Sequence, residues 1–428
     1  MSPYADIPSP ARFKGRDLTL DLHVPGSREY LKLSYPVKYG VFSRLETETD
    51  IFEFTLNREL RHARSKTPDW LHPQEWLKRS AGNHWIYYST GGYAGVFEAL
   101  GEYYLPNLTY TTNALLGGKP FKEPAIDRLV SGWYEILADL SLDGLDEPAR
   151  QWMISTLDNT PDRLARRAQT LLDIIGAPIS VMPPDARHSD YNFIPIHICD
   201  GCLYKCRFCK IKNKHRFTPR SGDAIARQIK ALKAWYGPDL INCNALFLGD
   251  HDALNAPDDL ILDTAAHAYE AFGFKRAYMT RPSLYLFGSL DALMSKDETF
   301  FTALNRLPFS TFINLGLESA HGDTLDLLGK PITPDQVRSC FEQICRINRA
   351  YPDIEISCNF VMGDHLPRAH YDAVMSLIRE GVTRTQPKGA VYLSPLTFGR
   401  PSRQDLYDFY RLKAQSRFPT FLYLIQRF

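Results

Sequence analysis

Three closely spaced cysteines are the residues of this 428-residue chain whose type and arrangement point most directly to chemistry. Cys202 and Cys206 are separated by three residues, and Cys206 and Cys209 by two. A loop with this spacing can hold three thiolates against one iron–sulfur cubane. Because a cubane normally takes four thiolates, three leave one iron open to an exchangeable ligand. The spacing therefore predicts a metal site with a vacant coordination position.

A structural zinc site is the alternative for the same segment, because Cys199 supplies a fourth thiol. Cys199 with Cys202, and Cys206 with Cys209, would then be two pairs of ligands around one zinc ion. Such sites usually separate the two pairs by a longer loop, which favours the iron–sulfur interpretation. The other cysteines follow singly much later and none precedes Cys199, so the pattern is unlike a secreted disulfide framework.

The segment from Cys202 to Cys209 resembles the CxxxCx(aromatic)C signature of the radical S-adenosylmethionine (radical SAM) enzymes, and the resemblance covers about residues 190 to 400. It implies that Cys202, Cys206 and Cys209 bind a 4Fe-4S cluster whose fourth iron is chelated by SAM. It also implies that reductive cleavage of SAM yields a 5′-deoxyadenosyl radical, which abstracts hydrogen from the substrate. By matching position, Phe208 lies against the adenine. Cys199 is outside the signature, and a buried thiol is its simpler interpretation.

Polar residues follow other predicted strands, as functional residues do in parallel β/α barrels. Gly249, Asp250 and His251 follow the second strand and resemble the family's glycine-rich acidic segment, which binds the SAM ammonium group. Glu318 resembles the glutamate of the family's GLES segment, which contacts SAM. Asn359, on the fifth strand, resembles a residue of the adenine-facing strand, with a hydrogen-bonded buried amide as the equal alternative. No catalytic residue is assigned beyond these cofactor contacts.

Positively charged residues supply two further candidates. Thr280 and Arg281 end the predicted third strand, where the arginine would bind a carboxylate or form a surface ion pair. A basic run surrounds and follows the cysteine loop: Lys205, Arg207, Lys210, Lys212, Lys214, His215, Arg216 and Arg220. This run is either a solvated surface or a docking site for an anionic substrate or for an acidic electron donor of the flavodoxin or ferredoxin type.

These candidates require a parallel sheet to bring them together. Six βα units can be counted from about residue 190 onward, which indicates an α/β fold with a partial (β/α)6 TIM-type barrel. The predicted strands are Phe193–Ile198, Ala245–Leu248, Arg276–Thr280, Thr311–Leu317, Glu355–Met362 and Ala390–Leu393. Ser221 is expected to cap a helix over Asp223–Tyr236, and Thr333 a helix that ends near Arg349.

The chain divides into three parts on composition and pattern. Residues 1–185 are aromatic-rich and are predicted to form an additional N-terminal mixed α+β domain. Residues 186–400 form the barrel, and residues 401–428 are predicted to be a C-terminal helical extension. Because the first part directly precedes the strand that leads to the cysteines, we expect it to shape or cover the mouth of the barrel.

Charge and hydropathy limit the functional classes. The 50 basic and 49 acidic residues almost balance, which disfavours nucleic acid and favours a small-molecule substrate. No segment has the length and apolar character of a signal peptide or a membrane span, so we expect a cytoplasmic protein without a membrane partner. The alternatives are a radical SAM enzyme that modifies RNA and a non-catalytic iron–sulfur or zinc protein.

Overall fold

Short alternating apolar runs give the N-terminal part of the chain an antiparallel sheet. The structure is a computed structural model that describes residues 9–30, 39–70, 73, 75–88, 103–104, 124–177, 179, 182–189, 192–209, 216–249, 251–363, 365–396 and 403–423. The strands of this sheet are consecutive neighbours: β1 (Ala11–Lys14), β2 (Leu18–Pro25), β3 (Val41–Thr47), β4 (Asp50–Phe54), β5 (Leu60–Ser65), β6 (Trp76–Arg79), β7 (Trp85–Tyr88) and β8 (Tyr103–Tyr104).

Three helices follow this sheet and share its core: α1 (Pro124–Ala138), α2 (Glu147–Leu157) and α3 (Pro161–Ile175). Phe54 of β4 and Trp152 of α2 meet edge to face, with ring centroids 5.3 Å apart. Both belong to an apolar cluster formed by the sheet and the helices. The boundary at residue 185 and the description of this region as a separate domain stay predictions.

Residues after 190 form a seven-stranded parallel sheet whose strands are neighbours in chain order. Its strands are β9 (Phe193–His197), β12 (Ala245–Gly249), β13 (Ser283–Gly288), β14 (Ser310–Glu318), β15 (Ile354–Met362), β16 (Val391–Pro395) and β17 (Thr420–Leu422). Between β9 and β12, the short antiparallel pair β10 (Cys199–Asp200) and β11 (Thr218–Pro219) closes the base of the cysteine loop.

Helices connect these strands: α4 (Gly222–Tyr236), α5 (Asp258–Phe272), α6 (Leu290–Met294), α7 (Glu298–Arg306), α8 (Gly322–Leu328), α9 (Pro334–Ala350), α10 (Arg368–Met375) and α11 (Arg403–Gln415). The two predicted helix starts are confirmed. The Ser221 hydroxyl accepts a hydrogen bond from the Ala224 N–H, and Thr333 forms a reciprocal capping box with Gln336. None of the described helices combines the length and hydrophobicity needed to span a bilayer.

Successive residues of the parallel strands face opposite sides of the sheet. On β13, Leu284 and Leu286 share one side, whereas Tyr285 is on the other and stacks on Phe312 of β14 at 5.4 Å. All-parallel order with strands added in sequence is the order of a TIM-type fold, so the α/β class is confirmed. The closure of these strands into a partial barrel stays a prediction.

The described residues 182–189, between α3 and β9, pack against the side of this sheet that carries Tyr285 and Phe312. Asp185, in the 3-10 turn Pro184–His188, accepts hydrogen bonds from Ser357 of β15 and Tyr392 of β16, both at 2.6 Å. Its neighbour His188 stacks on Phe312 of β14, with ring centroids 4.7 Å apart. Burial raises the pKa of Asp185, so the carboxyl group depends on these donors.

The predicted third strand was wrong. Residues 274–276 form a 3-10 turn after the left-handed Gly273, and the strand lies later, at Ser283–Gly288. The apolar residues Tyr278 and Met279 suggested a strand because they are buried, but they pack against Tyr39 and Val41 of the N-terminal region. Burial against a neighbouring sheet gives the same local pattern as burial within a sheet.

The sheet also has one strand more than the six predicted. Within the C-terminal segment predicted to be helical, α11 is followed by β17, which pairs in parallel with β16. The strand is only three residues long, and that length is too short for a recognisable periodicity.

The antiparallel sheet docks on the rim where the parallel strands begin. Val41 of β3 exchanges two hydrogen bonds with Asn242, directly before β12, at 2.7 and 2.9 Å. The Thr280 N–H, shortly before β13, bonds the Arg28 carbonyl at 2.8 Å. The candidate residues lie at the opposite, carboxyl-terminal rim. The expectation that residues 1–185 shape or cover the mouth of the barrel stays a prediction.

The buried environment of Asp239 at this junction leads us to expect that the free energy of unfolding depends on pH. Burial raises its pKa to about 6, while its Oδ1 atom accepts bonds from the Leu56 N–H and the Asn242 amide. Between about pH 4 and pH 6 the folded state keeps a proton that the unfolded state releases, so this group's contribution falls as the pH rises. Asp239→Asn keeps the accepting oxygen, and we expect it to gain about 3 kcal/mol over the parent between these pH values.

Urea unfolding of both proteins at pH 4, 5, 6 and 7 measures this difference, because the other titrating groups cancel. The matched control is Asp263→Asn, which changes an exposed aspartate on α5. A difference between Asp239→Asn and the parent that does not change with pH would show that the buried carboxyl group does not titrate in this range.

Candidate functional site

The cysteine loop begins with a glycine that no other residue can easily replace. Gly201 has φ +85°, and a Cβ atom there would lie 2.5 Å from the Arg216 carbonyl oxygen. The loop therefore crosses its own returning strand, and Cys202 forms an isolated bridge with Arg216. Below the crossing, Arg220 binds both oxygens of Asp200, at 2.9 and 2.6 Å.

Three contacts fix the loop to the carboxyl-terminal rim of the parallel sheet. Asp252, which is fully buried, accepts hydrogen bonds from the backbone N–H groups of Leu203 at 3.2 Å and Ser289 at 2.7 Å. The Tyr204 hydroxyl donates to Asp291 at 2.8 Å. The Arg207 N–H donates to the Leu328 carbonyl at 2.8 Å. The loop that carries the cysteines is thus tied to the ends of β12 and β13 and to α8.

The three signature thiols are half-buried in this loop. All eight cysteines of the chain lie in its described part, and none forms a disulfide. Burial raises the pKa of Cys202 to about 11, helped by the negative charge of Asp252, and burial also raises the pKa of Cys206. Among the described residues, no three histidine, cysteine, aspartate or glutamate side chains are arranged to hold a metal ion.

The donor set nevertheless fits an iron–sulfur cubane. Three thiols from one anchored loop, with Cys202 and Cys206 packed on the core of the parallel sheet, are the soft ligands that such a cluster takes. The fourth thiol of the zinc alternative has a different environment, because Cys199 is fully buried and its Sγ atom lies 3.7 Å from the Gly249 carbonyl.

The second strand ends at Gly249, one residue beyond its predicted end at Leu248. A Cβ atom at this position would lie 2.5 Å from Cδ2 of His197 on β9, so only glycine lets the two strands keep this approach. His251 is half-buried near Phe287 of β13, with ring centroids 6.4 Å apart. Asp250 lies outside the described residues.

Glu318 ends β14 in a strained conformation. Its φ is +66°, and the register between β14 and β15 shifts between Gly316 and Glu318. Its carboxylate folds back over Gly316 and lies 3.5 Å from the Lys330 ammonium, which also donates to the Gly316 carbonyl at 2.5 Å. Burial raises the pKa of Glu318, and Lys330 opposes that shift. A buried, strained acidic residue beside a single cation is typical of a ligand site.

Phe208 and Asn359 meet the parallel sheet at neighbouring places on β15. Phe208 packs against Leu328, Val361 and Leu366 rather than facing solvent. Asn359, two residues before Val361, exchanges two hydrogen bonds with Asn314 of β14, at 2.7 and 3.0 Å. Its amide is therefore a satisfied buried group, which is the alternative that the sequence left open. Its role as a SAM contact stays a prediction.

Arg281 and Thr280 are not part of this rim. They precede β13 instead of ending a strand, and Arg281 forms an exposed ion pair with Glu29 at 3.4 Å. The alternative of a surface ion pair is therefore correct. The interpretation of Arg281 as a residue that ends a strand and binds the carboxylate of a ligand is wrong. Of the basic run, Lys205, Arg207, Arg216 and Arg220 are described, whereas 210–215 lie outside the described residues.

Two residues at the site were not assigned from the sequence. Lys330 lies 5.2 Å from the centre of the Tyr204 ring and so connects the cysteine loop to Glu318. Asp252 carries the loop through the Leu203 N–H. Asp252 directly follows His251 in the same glycine-rich acidic segment. Its acidic side chain beside the predicted SAM contacts was therefore a signal from which the sequence could have assigned it to the site. The position of Lys330 depends on the left-handed turn at Gly329, which sequence spacing does not reveal.

Comparisons were made with known sequences and structures. No protein-family model and no curated protein sequence matches the chain. The cobalamin-dependent S-adenosylmethionine radical enzyme OxsB, with aqua-cobalamin and S-adenosylmethionine bound, is 17% identical, over 54% of this chain and 32% of its own, with a TM-score of 0.35. The match thus spans about a third of the length of OxsB.

Two other solved structures match over more of their length. A radical SAM methyltransferase from Sphaerobacter thermophilus is 17% identical, over 56% of this chain and 67% of its own, with a TM-score of 0.33. Methylornithine synthase (PylB) is 13% identical, over 68% of this chain and 76% of its own, with a TM-score of 0.33. OxsB and the Sphaerobacter thermophilus methyltransferase are radical SAM enzymes, the family that the cysteine segment resembles.

Proposed function

We propose that this protein is a radical SAM enzyme that binds a 4Fe-4S cluster through Cys202, Cys206 and Cys209 and acts on a small-molecule substrate. The observation that carries the proposal is the anchored three-thiol loop beside the buried Glu318–Lys330 pair, at the carboxyl ends of parallel strands. In folds of this type, those strand ends are where active sites lie. With the cluster bound, reductive cleavage of SAM would supply a 5′-deoxyadenosyl radical for hydrogen abstraction.

The residues of this chain hold and orient the cofactor in this proposal. Glu318 accepts hydrogen bonds from the ribose hydroxyls or the ammonium group of SAM, and Lys330 keeps the carboxylate charged. Gly249, against which the His197 ring packs, ends β12 at this rim, where the resemblance places the SAM ammonium group. Phe208 offers an apolar ring to the adenine from the edge of the cysteine loop.

The partners follow from the same site. The cluster requires an electron donor of the flavodoxin or ferredoxin type, for which the exposed residues Lys205 and Arg207 give a basic approach. The same charges suit an anionic substrate. Thiols that must stay reduced favour a cytoplasmic location.

Anaerobic reconstitution with iron and sulfide tests the proposal. The reconstituted protein, given SAM and dithionite, is expected to release 5′-deoxyadenosine, which liquid chromatography measures. A cluster that forms without SAM cleavage would favour a non-catalytic iron–sulfur protein, and a tightly bound tetrahedral zinc would favour the structural zinc site. Both outcomes would contradict the proposed function.

Gly316→Ala tests the role of Glu318 without altering the glutamate. A Cβ atom at residue 316 would lie 2.3 Å from Oε1 of Glu318, the free end of a flexible side chain, so the carboxylate must move. We expect SAM binding to weaken about 10- to 100-fold, the equivalent of one lost charged hydrogen bond. Equilibrium dialysis with labelled SAM measures the change.

The control for this variant is Gly132→Ala, where an added Cβ atom on α1 meets no atom within 4 Å. Parental SAM affinity in Gly316→Ala, with unchanged cluster content, would remove Glu318 from the SAM contacts.

A further inference from the structure

We propose that His370 is a positioning residue that holds Glu318 and the end of β15 in place for SAM; this inference rests on the proposed function. His370 lies on α10, is fully buried and has a hydrogen-bond partner at each ring nitrogen. Its Nδ1 atom lies 2.8 Å from the Ser319 hydroxyl, and its Nε2 atom 2.9 Å from the Val361 carbonyl oxygen. These two contacts are enough to define which ring nitrogen carries the hydrogen.

The two partners fix the tautomer of the ring. A carbonyl oxygen only accepts, so Nε2 carries the hydrogen and donates it to Val361. Nδ1 is then an acceptor and receives the hydroxyl hydrogen of Ser319. Burial lowers the pKa of His370, which agrees with a neutral ring in this arrangement. The Ser319 oxygen in turn accepts the His321 N–H at 3.0 Å, and its hydroxyl lies much nearer to Nδ1 of His370 than to the His321 carbonyl, at 2.8 against 3.5 Å.

Glu318 needs such support because its backbone is strained. A positive φ in a residue with a Cβ atom persists only where the surrounding structure over-determines it. On one side, Lys330 holds the carboxylate and the Gly316 carbonyl. On the other side, Ser319 follows Glu318 directly and is held by His370. The His370 imidazole therefore fixes Ser319. A change of backbone conformation at Ser319 would otherwise let the strained φ of Glu318 relax.

The same ring reaches the second candidate contact. Val361 belongs to the apolar cluster against which Phe208 packs. By accepting from His370, its carbonyl ties the end of β15 to the end of β14. One buried side chain thus sets the spacing between Glu318, proposed to bind the polar part of SAM, and Phe208, proposed to contact the adenine. A positioning residue of this type acts without touching the ligand.

Two conservative variants separate the two hydrogen bonds. His370→Asn keeps an acceptor near the position of Nδ1 and loses the donor to Val361, whereas His370→Gln keeps a donor near the position of Nε2. His370→Ala removes both, and Ser319→Ala removes one from the other side. Asp372→Asn is a neighbouring control on α10, since the exposed Asp372 side chain lies 3.8 Å from Arg368 on the same helix.

The measurements are SAM affinity by equilibrium dialysis, KM for SAM and kcat on the reconstituted protein, and iron content. We expect His370→Ala and Ser319→Ala to raise the dissociation constant for SAM about ten-fold, with parental iron content and a larger change in KM than in kcat. His370→Asn is expected to recover most of the affinity. A merely structural role would lower iron content and thermal stability in all variants together and would not follow which nitrogen is replaced.

Parental SAM affinity in folded Ser319→Ala and His370→Gln, the two variants that lose the bond between residues 319 and 370, overturns the inference, whether or not the enzyme cleaves SAM. If His370→Ala does not fold, these two variants decide the question. Weakened SAM binding in a protein that releases no 5′-deoxyadenosine would support the positioning role and contradict the proposed reaction. A parent protein that binds no SAM would overturn both.

Discussion

Replacing Cys206 with alanine is expected to abolish cluster assembly and the release of 5′-deoxyadenosine. The two thiolates left in the loop are too few for the proposed cubane, which takes three protein ligands and leaves its fourth iron to SAM. The loop keeps its anchors, because the Leu203 N–H, the Tyr204 hydroxyl and the Arg207 N–H make those contacts. We therefore expect iron to fall from about four per chain to near zero while the protein stays folded. Iron and sulfide assays with circular dichroism measure both.

The decisive control for this variant is Cys199→Ala. The radical SAM interpretation predicts parental iron content after this change, because Cys199 is outside the signature and its buried thiol lies beside the Gly249 carbonyl. The structural zinc interpretation predicts that Cys199 and Cys206 are equally necessary, because each supplies one of four thiolates. Equal loss of metal in the two variants, or no loss in Cys206→Ala, would contradict the proposed cluster site.

Removing Lys330 is expected to give the largest loss of stability at the site. Its side chain and that of Glu318 are only 6% and 10% exposed, and their charged atoms lie 3.5 Å apart. Lys330→Met would leave a buried carboxylate without its cation, which costs about 3–5 kcal/mol. The loss is expected to grow as the pH rises, since a buried carboxyl group with a raised pKa destabilises the fold once it must ionise. Urea unfolding of the protein without cluster at pH 6 and pH 8 measures this loss.

The double variant Lys330→Met with Glu318→Gln is the matched control. It removes the buried charge together with its partner, and replacing both members of a buried pair is often close to neutral. We expect it to recover most of the stability lost in Lys330→Met, but not SAM binding. Equal stability of the single variant and the parent would mean that the carboxylate does not depend on this lysine.

Local signals predicted the parts of the fold that are set by a few neighbouring residues. Ser221 and Thr333 cap their helices as expected, because an N-cap depends only on the residues of the first turn. The second and fourth strands end at Gly249 and Glu318, each within one residue of the predicted end. These strands are buried within the parallel sheet, so their apolar runs result from their position in that sheet and not from contacts with another part of the chain.

Non-local contacts account for what the sequence did not predict. Tyr278 and Met279 have the composition of a strand, but the surface that buries them belongs to residues more than two hundred positions earlier. Lys330 reaches Glu318 because a bulge and a left-handed glycine bring the two together. The alternation of apolar and polar residues is the same whichever surface covers them, so only the folded chain separates these cases.

The antiparallel sheet docks at the rim where the parallel strands begin, and the candidate site lies at the other rim. Residues of the two rims can therefore be substituted independently. Substitutions around Val41 and Asn242 alter how firmly the sheets hold together, whereas substitutions around Glu318 and Asp252 alter what the molecule can bind. At about 3.3 Å per residue, a five-residue strand puts roughly 16 Å between those two sets of changes. A descendant of this chain could acquire a new reaction at one rim while inheriting its assembly unchanged at the other.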